Sequence, residues 1–107
     1  MNSDPIKSIE NLFTQKRDLI LIKESLAGKS RSFAKLLSFY KQKVTSLGMS
    51  FFRNHADRED FEQEVYIKVF KNLESFRGDC KFSTWLLKIA YNTAINSKER
   101  KKEYESI

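Results

Sequence analysis

Only three glycines and one proline interrupt the 107 residues of this chain. β-Sandwiches and barrels need frequent turns, so long stretches of charged and apolar residues without such breaks favour helices. Apolar residues make up 40% of the chain and aromatic residues 13%, which is enough for one small core. The sequence therefore predicts an all-α protein, a compact bundle of four to five helices.

The composition argues against several functional classes. The single cysteine, Cys80, allows neither a disulfide within the chain nor a cysteine-based zinc site. No apolar run is long enough to cross a membrane, and the first residues lack the order of a signal peptide. Asp60 and Glu64 share a helix face, but no histidine joins them as a metal ligand. We therefore expect a cytoplasmic protein that is not an enzyme, binds no metal or cofactor, and does not insert into membranes.

The net charge of +6 is unevenly distributed along the chain. Residues 1–56 carry 10 basic and 4 acidic side chains, residues 57–79 carry 4 and 7, and residues 80–107 carry 6 and 3. An acidic segment thus lies between two basic ones. A polyanion would bind the basic flanks and a basic partner the middle, unless the pattern serves solubility alone.

Apolar spacing divides the chain into helical segments. Residues 1–15 are weakly patterned and predict a short or frayed helix. A long helix is expected from about residue 30 to residue 47, and a second from residue 57 to about residue 74. Residues 75–81 read as a loop, and a last helix is expected from residue 85 to about residue 102.

The helix that begins near residue 57 has a wider apolar sweep than one buried face requires. At roughly 100° per residue, Ile67 and Phe70 lie beyond the buried stripe, beside Gln63 and next to Asp60 and Glu64. An apolar strip bordered by glutamine and carboxylates suits a groove-binding or coiled-coil partner. Alternatively, other helices of the same bundle cover this flank.

The last helix has a polar face of a different kind. Lys88, Asn92 and Asn96 follow one another at four-residue spacing, and Arg100 and Lys101 lie at the same end. Asparagine is a poor choice for a helix interior unless its amide has a task. Aligned amides that lead to a basic cluster suit hydrogen bonds to bases, with phosphates held by the cations. A face that serves only solubility is the alternative.

Two stretches of the sequence resemble a known family. The segments DREDFEQEVYIKVF (residues 57–70) and FRGDCKFSTWLLKIAYNTA (residues 76–94) closely resemble region 2 of bacterial sigma-70 factors, in the extracytoplasmic-function (ECF) group. The resemblance covers residues 33–102. It implies a sigma region 2-like domain at residues 16–107, preceded by a weakly ordered extension at residues 1–15. Region 4, the domain that reads the −35 element, is not expected here, so the chain is either an isolated domain or a natural short form.

The resemblance implies a role in transcription initiation. The flank described above would grip the clamp coiled coil in the largest subunit of core RNA polymerase, through Asp60, Gln63, Glu64, Ile67 and Phe70. Promoter DNA, as the single-stranded non-template strand of the −10 element, would be the second partner. An anti-sigma factor is a further expected partner.

The DNA-binding residues that the resemblance implies fall into two groups. A specificity loop would surround a flipped base, and its residues are Phe76, Arg77, Gly78, Asp79, Lys81 and Phe82. The last helix would hold the melted strand through Lys88, Asn92, Asn96, Arg100 and Lys101. Only Trp85 and Tyr91 are aromatic in the stretch where primary sigma factors carry several aromatics, so melting by an aromatic wedge is not expected.

Two other functions fit the same residues. The chain could be a helix-turn-helix regulator of double-stranded DNA that places residues 85–102 in the major groove. It could also be a helical adaptor whose apolar flank binds another protein without nucleic acid. Preference for single-stranded over duplex DNA, and the salt dependence of binding, separate these hypotheses.

Overall fold

The computed structural model describes residues 4–105, and this part of the chain contains helices and no strand. The all-α prediction is confirmed. The described residues form five α-helices, which are α1 (Pro5–Leu26), α2 (Ser30–Ser38), α3 (Lys41–Phe51), α4 (His55–Asn72) and α5 (Phe82–Glu105), and a 3-10 turn (Leu73–Ser75) follows α4. No helix in the described part is long and apolar enough to span a bilayer.

Local side-chain chemistry sets the ends of these helices. The Asp4 carboxylate accepts a hydrogen bond from the Ile6 N–H (3.1 Å), and Pro5 occupies the first turn of α1, where a missing N–H costs nothing. Gly28 follows α1 with a φ of 96°, which only glycine adopts without strain. The Asn54 side chain caps α4 in the same way as Asp4 caps α1.

The core is formed mainly by the inward faces of α4 and α5. Phe61, Val65 and Val69 of α4 are 1% exposed or less, and Leu86 and Ala90 of α5 are fully buried. These residues recur at spacings of four, so each helix presents one continuous apolar stripe. Leu36 and Val44 add the inward faces of α2 and α3. The outward faces of α4 and α5 are therefore free for other contacts.

Two predicted helix boundaries are wrong. The long helix expected at residues 30–47 is two helices that meet at Phe39 and Tyr40, where the backbone N–H groups bond to Leu36 and Leu37 three residues back. The break lets the ring of Tyr40 turn inward, where it is 6% exposed. The last helix begins at Phe82, three residues earlier than expected.

The N-terminal part also differs from the prediction. Residues 5–15 are not a separate short helix but the first half of the continuous 22-residue helix α1. Its C-terminal half supplies the buried residues Asp18, Leu21 and Ile22. The boundary expected at residue 15 therefore lies inside a helix, because no glycine or proline breaks the chain between Pro5 and Gly28.

Candidate functional site

The apolar flank of α4 is open to solvent. Ile67 is 52% exposed and Phe70 63% exposed, while Val65 and Val69 of the same helix are fully buried. Asp60 and Gln63 are exposed beside them, and Glu64 is half-buried. The other helices of the described chain therefore leave this flank uncovered, and its apolar area remains available to a partner. The sequence anticipated this arrangement from the width of the apolar sweep.

An aromatic residue from another helix extends this flank. The ring of Phe33 on α2 contacts Phe70 edge to face, with the ring centroids 5.3 Å apart. Phe33 is only partly buried. Its spacing places Phe33 in the apolar stripe of α2, so the sequence alone gives no sign that it extends the α4 flank. Such a contact holds the Phe70 ring in place while its outer face remains exposed.

A groove between α4 and α5 adjoins the flank. It has a volume of about 550 Å³. Its lining residues are Asp60, Gln63, Glu64, Ile67, Lys68, Lys71, Ser97 and Arg100. The groove brings four of the five predicted polymerase contacts together with Arg100, a residue predicted to contact DNA.

Ion pairs fasten the basic end of α5 to α4. Arg100 Nη2 lies 3.0 and 3.2 Å from the two carboxylate oxygens of Glu64. Lys101 donates to the Asp57 carboxylate. That hydrogen bond, with a second from Asn54, lowers the pKa of Asp57, and the same bond raises the pKa of Lys101. The two cations therefore lie against acids of α4, whereas the sequence predicted them as part of the amide face.

The amide face consists of three residues of α5 without the two cations at its end. Lys88, Asn92 and Asn96 are all exposed along α5. Each four-residue step turns the row by roughly 40°, so Arg100 lies roughly 120° around the helix from Lys88 and reaches α4. The remaining polar row consists of one cation and two amides. These groups donate hydrogen bonds and, in the amides, accept them, which suits base edges and phosphates.

The loop between α4 and α5 is open at its tip and anchored at its ends. Arg77, Gly78, Asp79 and Lys81 are exposed, and Gly78 has a φ of 81° that favours glycine. Phe76 is partly buried and packs edge to face on Phe82 and Trp85, with centroid distances of 5.6 and 5.5 Å. The aromatic base of the loop thereby fixes where its polar tip lies.

Phe82 does not lie where the sequence analysis expected it. The resemblance places it among the loop residues that surround a flipped base, but it is 3% exposed and belongs to the core. Phe82 is the first residue of α5, and its side chain is directed inward against Phe76 and Tyr40. Phe82 therefore supports the loop from below, and a base at the loop tip would not reach it.

Helix α1 forms the floor beneath the loop, which the sequence analysis did not anticipate. A small cavity of about 20 Å³ lies between Gln15, Asp18 and Leu19 of α1 and the loop residues Gly78 and Cys80. This volume admits about one water molecule and no nucleobase. No sequence signal links α1 to a loop 60 residues later, because the contact depends on how the helices pack.

Comparison with known proteins agrees with this geometry. Residues 36–104 match the Sigma-70 region 2 family. The chain is 38% identical over 85 residues to the RNA polymerase sigma-H factor of Pseudomonas aeruginosa, covering 79% of this chain and 44% of that protein. It is 42% identical over 82 residues to the ECF RNA polymerase sigma-E factor of Escherichia coli K12, covering 77% of this chain and 42% of that protein. The chain thus spans less than half the length of these relatives.

A solved structure shows the same fold. It is the NMR structure of an engineered region 2 of sigmaE in complex with GTAAAA, and it superposes with a TM-score of 0.76 at 34% sequence identity. The superposition covers 84% of this chain and 94% of the other. Together with the match to the family over most of the chain, this likeness shows that the chain belongs to the sigma-70 family, as a region 2 domain of the ECF group.

Proposed function

We propose that this domain acts in transcription initiation without catalysing a reaction: it binds core RNA polymerase and recognises the promoter −10 element as single-stranded DNA. The observation that carries the proposal is the uncovered flank of α4, with Ile67 and Phe70 more than half exposed on a helix whose other large apolar residues are buried or half-buried. The relatives are named as RNA polymerase sigma factors, and the solved neighbour binds GTAAAA.

The α4 flank is proposed to contact the clamp coiled coil of the largest polymerase subunit. Ile67 and Phe70 would supply the buried apolar contact, because apolar anchors near the centre of an interface provide most of its affinity. Asp60 and Glu64 would orient basic groups of the partner, and Gln63 would hydrogen-bond at the edge. An anti-sigma factor that occupied this flank would compete with polymerase.

The first experiment tests this contact by pull-down with purified core polymerase. Gln63→Ala combined with Phe70→Ala is expected to reduce binding at least tenfold, because the pair removes an aromatic anchor and its polar neighbour. Gln42→Ala combined with Met49→Ala is the matched control, since Gln42 and Met49 are an exposed amide and an exposed apolar residue on α3. Unchanged binding by the first pair, or equal loss by both, would contradict the assignment.

DNA is proposed to bind across the loop tip and the amide face of α5. Arg77, Gly78, Asp79 and Lys81 offer a backbone and polar groups that a flipped base can approach, and Lys88 with its two amide neighbours would hold the adjoining strand. The unpaired strand alone can make these contacts, so their free energy favours the open state of the promoter. Phe82 takes no direct part in this proposal.

The second experiment compares a labelled GTAAAA oligonucleotide with a duplex of the same sequence by fluorescence anisotropy. The proposed function predicts preference for the single strand, and a log–log salt slope near −0.7 for each phosphate contact. Lys88→Ala is expected to reduce that slope by roughly one contact, and Lys43→Ala on α3 is the control. Preference for the duplex would instead favour the helix-turn-helix regulator, and a flat salt profile would favour the protein adaptor.

A further inference from the structure

The outer face of α1 is rich in exposed apolar side chains. Thirteen large apolar residues of the described chain are exposed, and seven of them lie on this one helix. They are Ile6, Ile9, Leu12, Phe13, Leu19, Ile20 and Leu26, each at least 47% exposed. Neither the α4 flank nor the amide face of α5 contains any of them. An apolar surface of this kind on a soluble domain is a sign of a binding face.

The spacing of these residues is that of a coiled-coil seam. Positions 9, 12, 16, 19, 23 and 26 alternate steps of three and four, and we call the residues at these positions the α1 seam. They are Ile9, Leu12, Lys16, Leu19, Lys23 and Leu26. A second apolar row of Ile6, Phe13 and Ile20 runs beside the seam. The core-facing residues Asp18, Leu21 and Ile22 are centred roughly 140° around the helix from the seam. Most of the seam therefore faces solvent, and Leu19 borders the loop at Gly78.

Two cations lie in the middle of this apolar surface. Lys16 and Lys23 are exposed, and neither forms an ion pair within residues 4–105. None of the three acidic residues of α1 occupies a seam position. Asp18 is buried, and the Glu24 carboxylate accepts a hydrogen bond from Ser32 Oγ (2.7 Å) on α2, away from the seam. The positive charge of the seam is thus uncompensated on its own surface.

This charge pattern distinguishes between possible occupants. A second copy of α1 in parallel would place Lys16 against Lys16 and Lys23 against Lys23, and in either orientation it would bring no acid to the seam. A lipid surface favours cations along the edges of an apolar face, where they reach the headgroups, whereas these lysines lie at its centre. A helix with carboxylates beside its apolar row suits both the apolar residues of the seam and the two lysines at its centre.

We propose that the α1 seam binds an amphipathic helix of another protein, whose apolar row is flanked by glutamate or aspartate. The leucines and isoleucines of the seam and its neighbouring row would pack between the apolar residues of that helix, and Lys16 and Lys23 would pair with its carboxylates. The seam borders the proposed DNA-binding loop at Leu19, which lines the small cavity beneath Gly78 and Cys80. The peptide titrations described next use neither polymerase nor DNA, so a failure of this proposal is distinguishable from a failure of the proposed function.

The test uses the whole chain and a labelled synthetic helix of the same length as α1, with leucine in its seam positions and glutamate on both flanks. A second peptide carries lysine in place of every glutamate. Anisotropy titrations are expected to give micromolar binding of the glutamate peptide and at least roughly tenfold weaker binding of the lysine peptide. Lys16→Glu combined with Lys23→Glu should reverse this preference, whereas Lys41→Glu combined with Lys43→Glu, on α3, should not.

Two further measurements address the other occupants. Sedimentation equilibrium should show a monomer at concentrations where the glutamate peptide binds. Vesicles rich in anionic phosphatidylglycerol should bind a smaller fraction of the protein than the glutamate peptide binds. Equal binding of both peptides, no reversal in the charge-swapped variant, a dimer that excludes the peptide, or preferential vesicle binding would each overturn the proposal. Circular dichroism of each variant establishes that a loss of binding reflects the seam and not unfolding.

Discussion

The hydroxyl of Tyr40 is expected to stabilise the fold through a buried carboxylate where α1 meets the junction of α2 and α3. Asp18 is 3% exposed, and its Oδ1 accepts hydrogen bonds from Arg17 Nε and Nη2 at 3.1 and 3.0 Å. Its Oδ2 accepts from the Tyr40 hydroxyl. Tyr40→Phe keeps the ring in place but leaves Oδ2 without a side-chain donor among the described residues.

The cost of this substitution follows from the charge of the acceptor. A hydrogen bond to a charged group contributes about 1.5–3 kcal/mol, and a buried acceptor left unpaired forfeits that contribution. We therefore expect Tyr40→Phe to lower the free energy of unfolding by about 2 kcal/mol. In a domain of this size, that corresponds to a fall in Tm of roughly 10 °C.

Urea denaturation at neutral pH, followed by circular dichroism, measures the effect directly. Tyr66→Phe is the matched control, because the Tyr66 hydroxyl lies 3.5 Å from Glu62 Oε1 in a half-buried site, a weak contact. The control should change the free energy of unfolding by less than about 0.5 kcal/mol. Equal losses in the two variants, or a loss below that value for Tyr40→Phe, would refute the argument that Asp18 depends on this donor.

Three further predictions follow from the packing and the ion pairs. Gly48→Ala should destabilise the fold by about 1 kcal/mol in urea denaturation, because overpacking outweighs the gain in helix propensity. A Cβ at residue 48 would lie 3.0 and 3.2 Å from two ring carbons of the buried Phe61. A higher urea midpoint would contradict this prediction. Lys101→Ala should raise the pKa of the Asp57 carboxyl towards its ordinary value of 3.8 in an NMR titration, because it removes the side-chain hydrogen bond that is the main cause of the lowered pKa. An unmoved pKa would contradict that cause. Burial is the main cause that raises the pKa of Tyr40 and Tyr66 from 10.0 to about 12. The stability that these two protonated hydroxyls contribute is therefore complete below pH 10 and is lost as the pH rises to 12. Urea midpoints should fall across that range, and the double phenylalanine variant should show a smaller fall.

Periodicity was sufficient to predict the surfaces that one helix carries by itself. The position of Ile67 and Phe70 beyond the buried stripe follows from counting residues at roughly 100° each along α4. The row of Lys88, Asn92 and Asn96 follows from the same count. Both groupings depend on positions within a single helix, whereas the exposure of the α4 flank depends on the neighbouring helices and was left open by the sequence.

Features that depend on how helices pack were not predictable from the sequence. The break at Phe39 and Tyr40 has no glycine or proline to mark it, and the hydrogen bond of the inward-facing Tyr40 joins it to Asp18, 22 residues away. Phe82 was assigned to the loop by its position in a motif, whereas its neighbours in space place it in the core. The pairing of Arg100 with Glu64 joins residues 36 apart, and no local pattern indicates it.

That last pairing affects how the two proposed surfaces relate to each other. Glu64 lies on the proposed polymerase flank, and Arg100 lies at the end of the helix proposed to hold DNA. The ion pair between them therefore links the two proposed surfaces. An exposed ion pair contributes at most about 1 kcal/mol, so a polymerase cation could replace Arg100 at Glu64 with little loss of stability. Because Arg100 would then be free to contact a phosphate, occupation of the α4 flank would strengthen DNA binding at α5, and by linkage DNA binding would strengthen the polymerase contact equally.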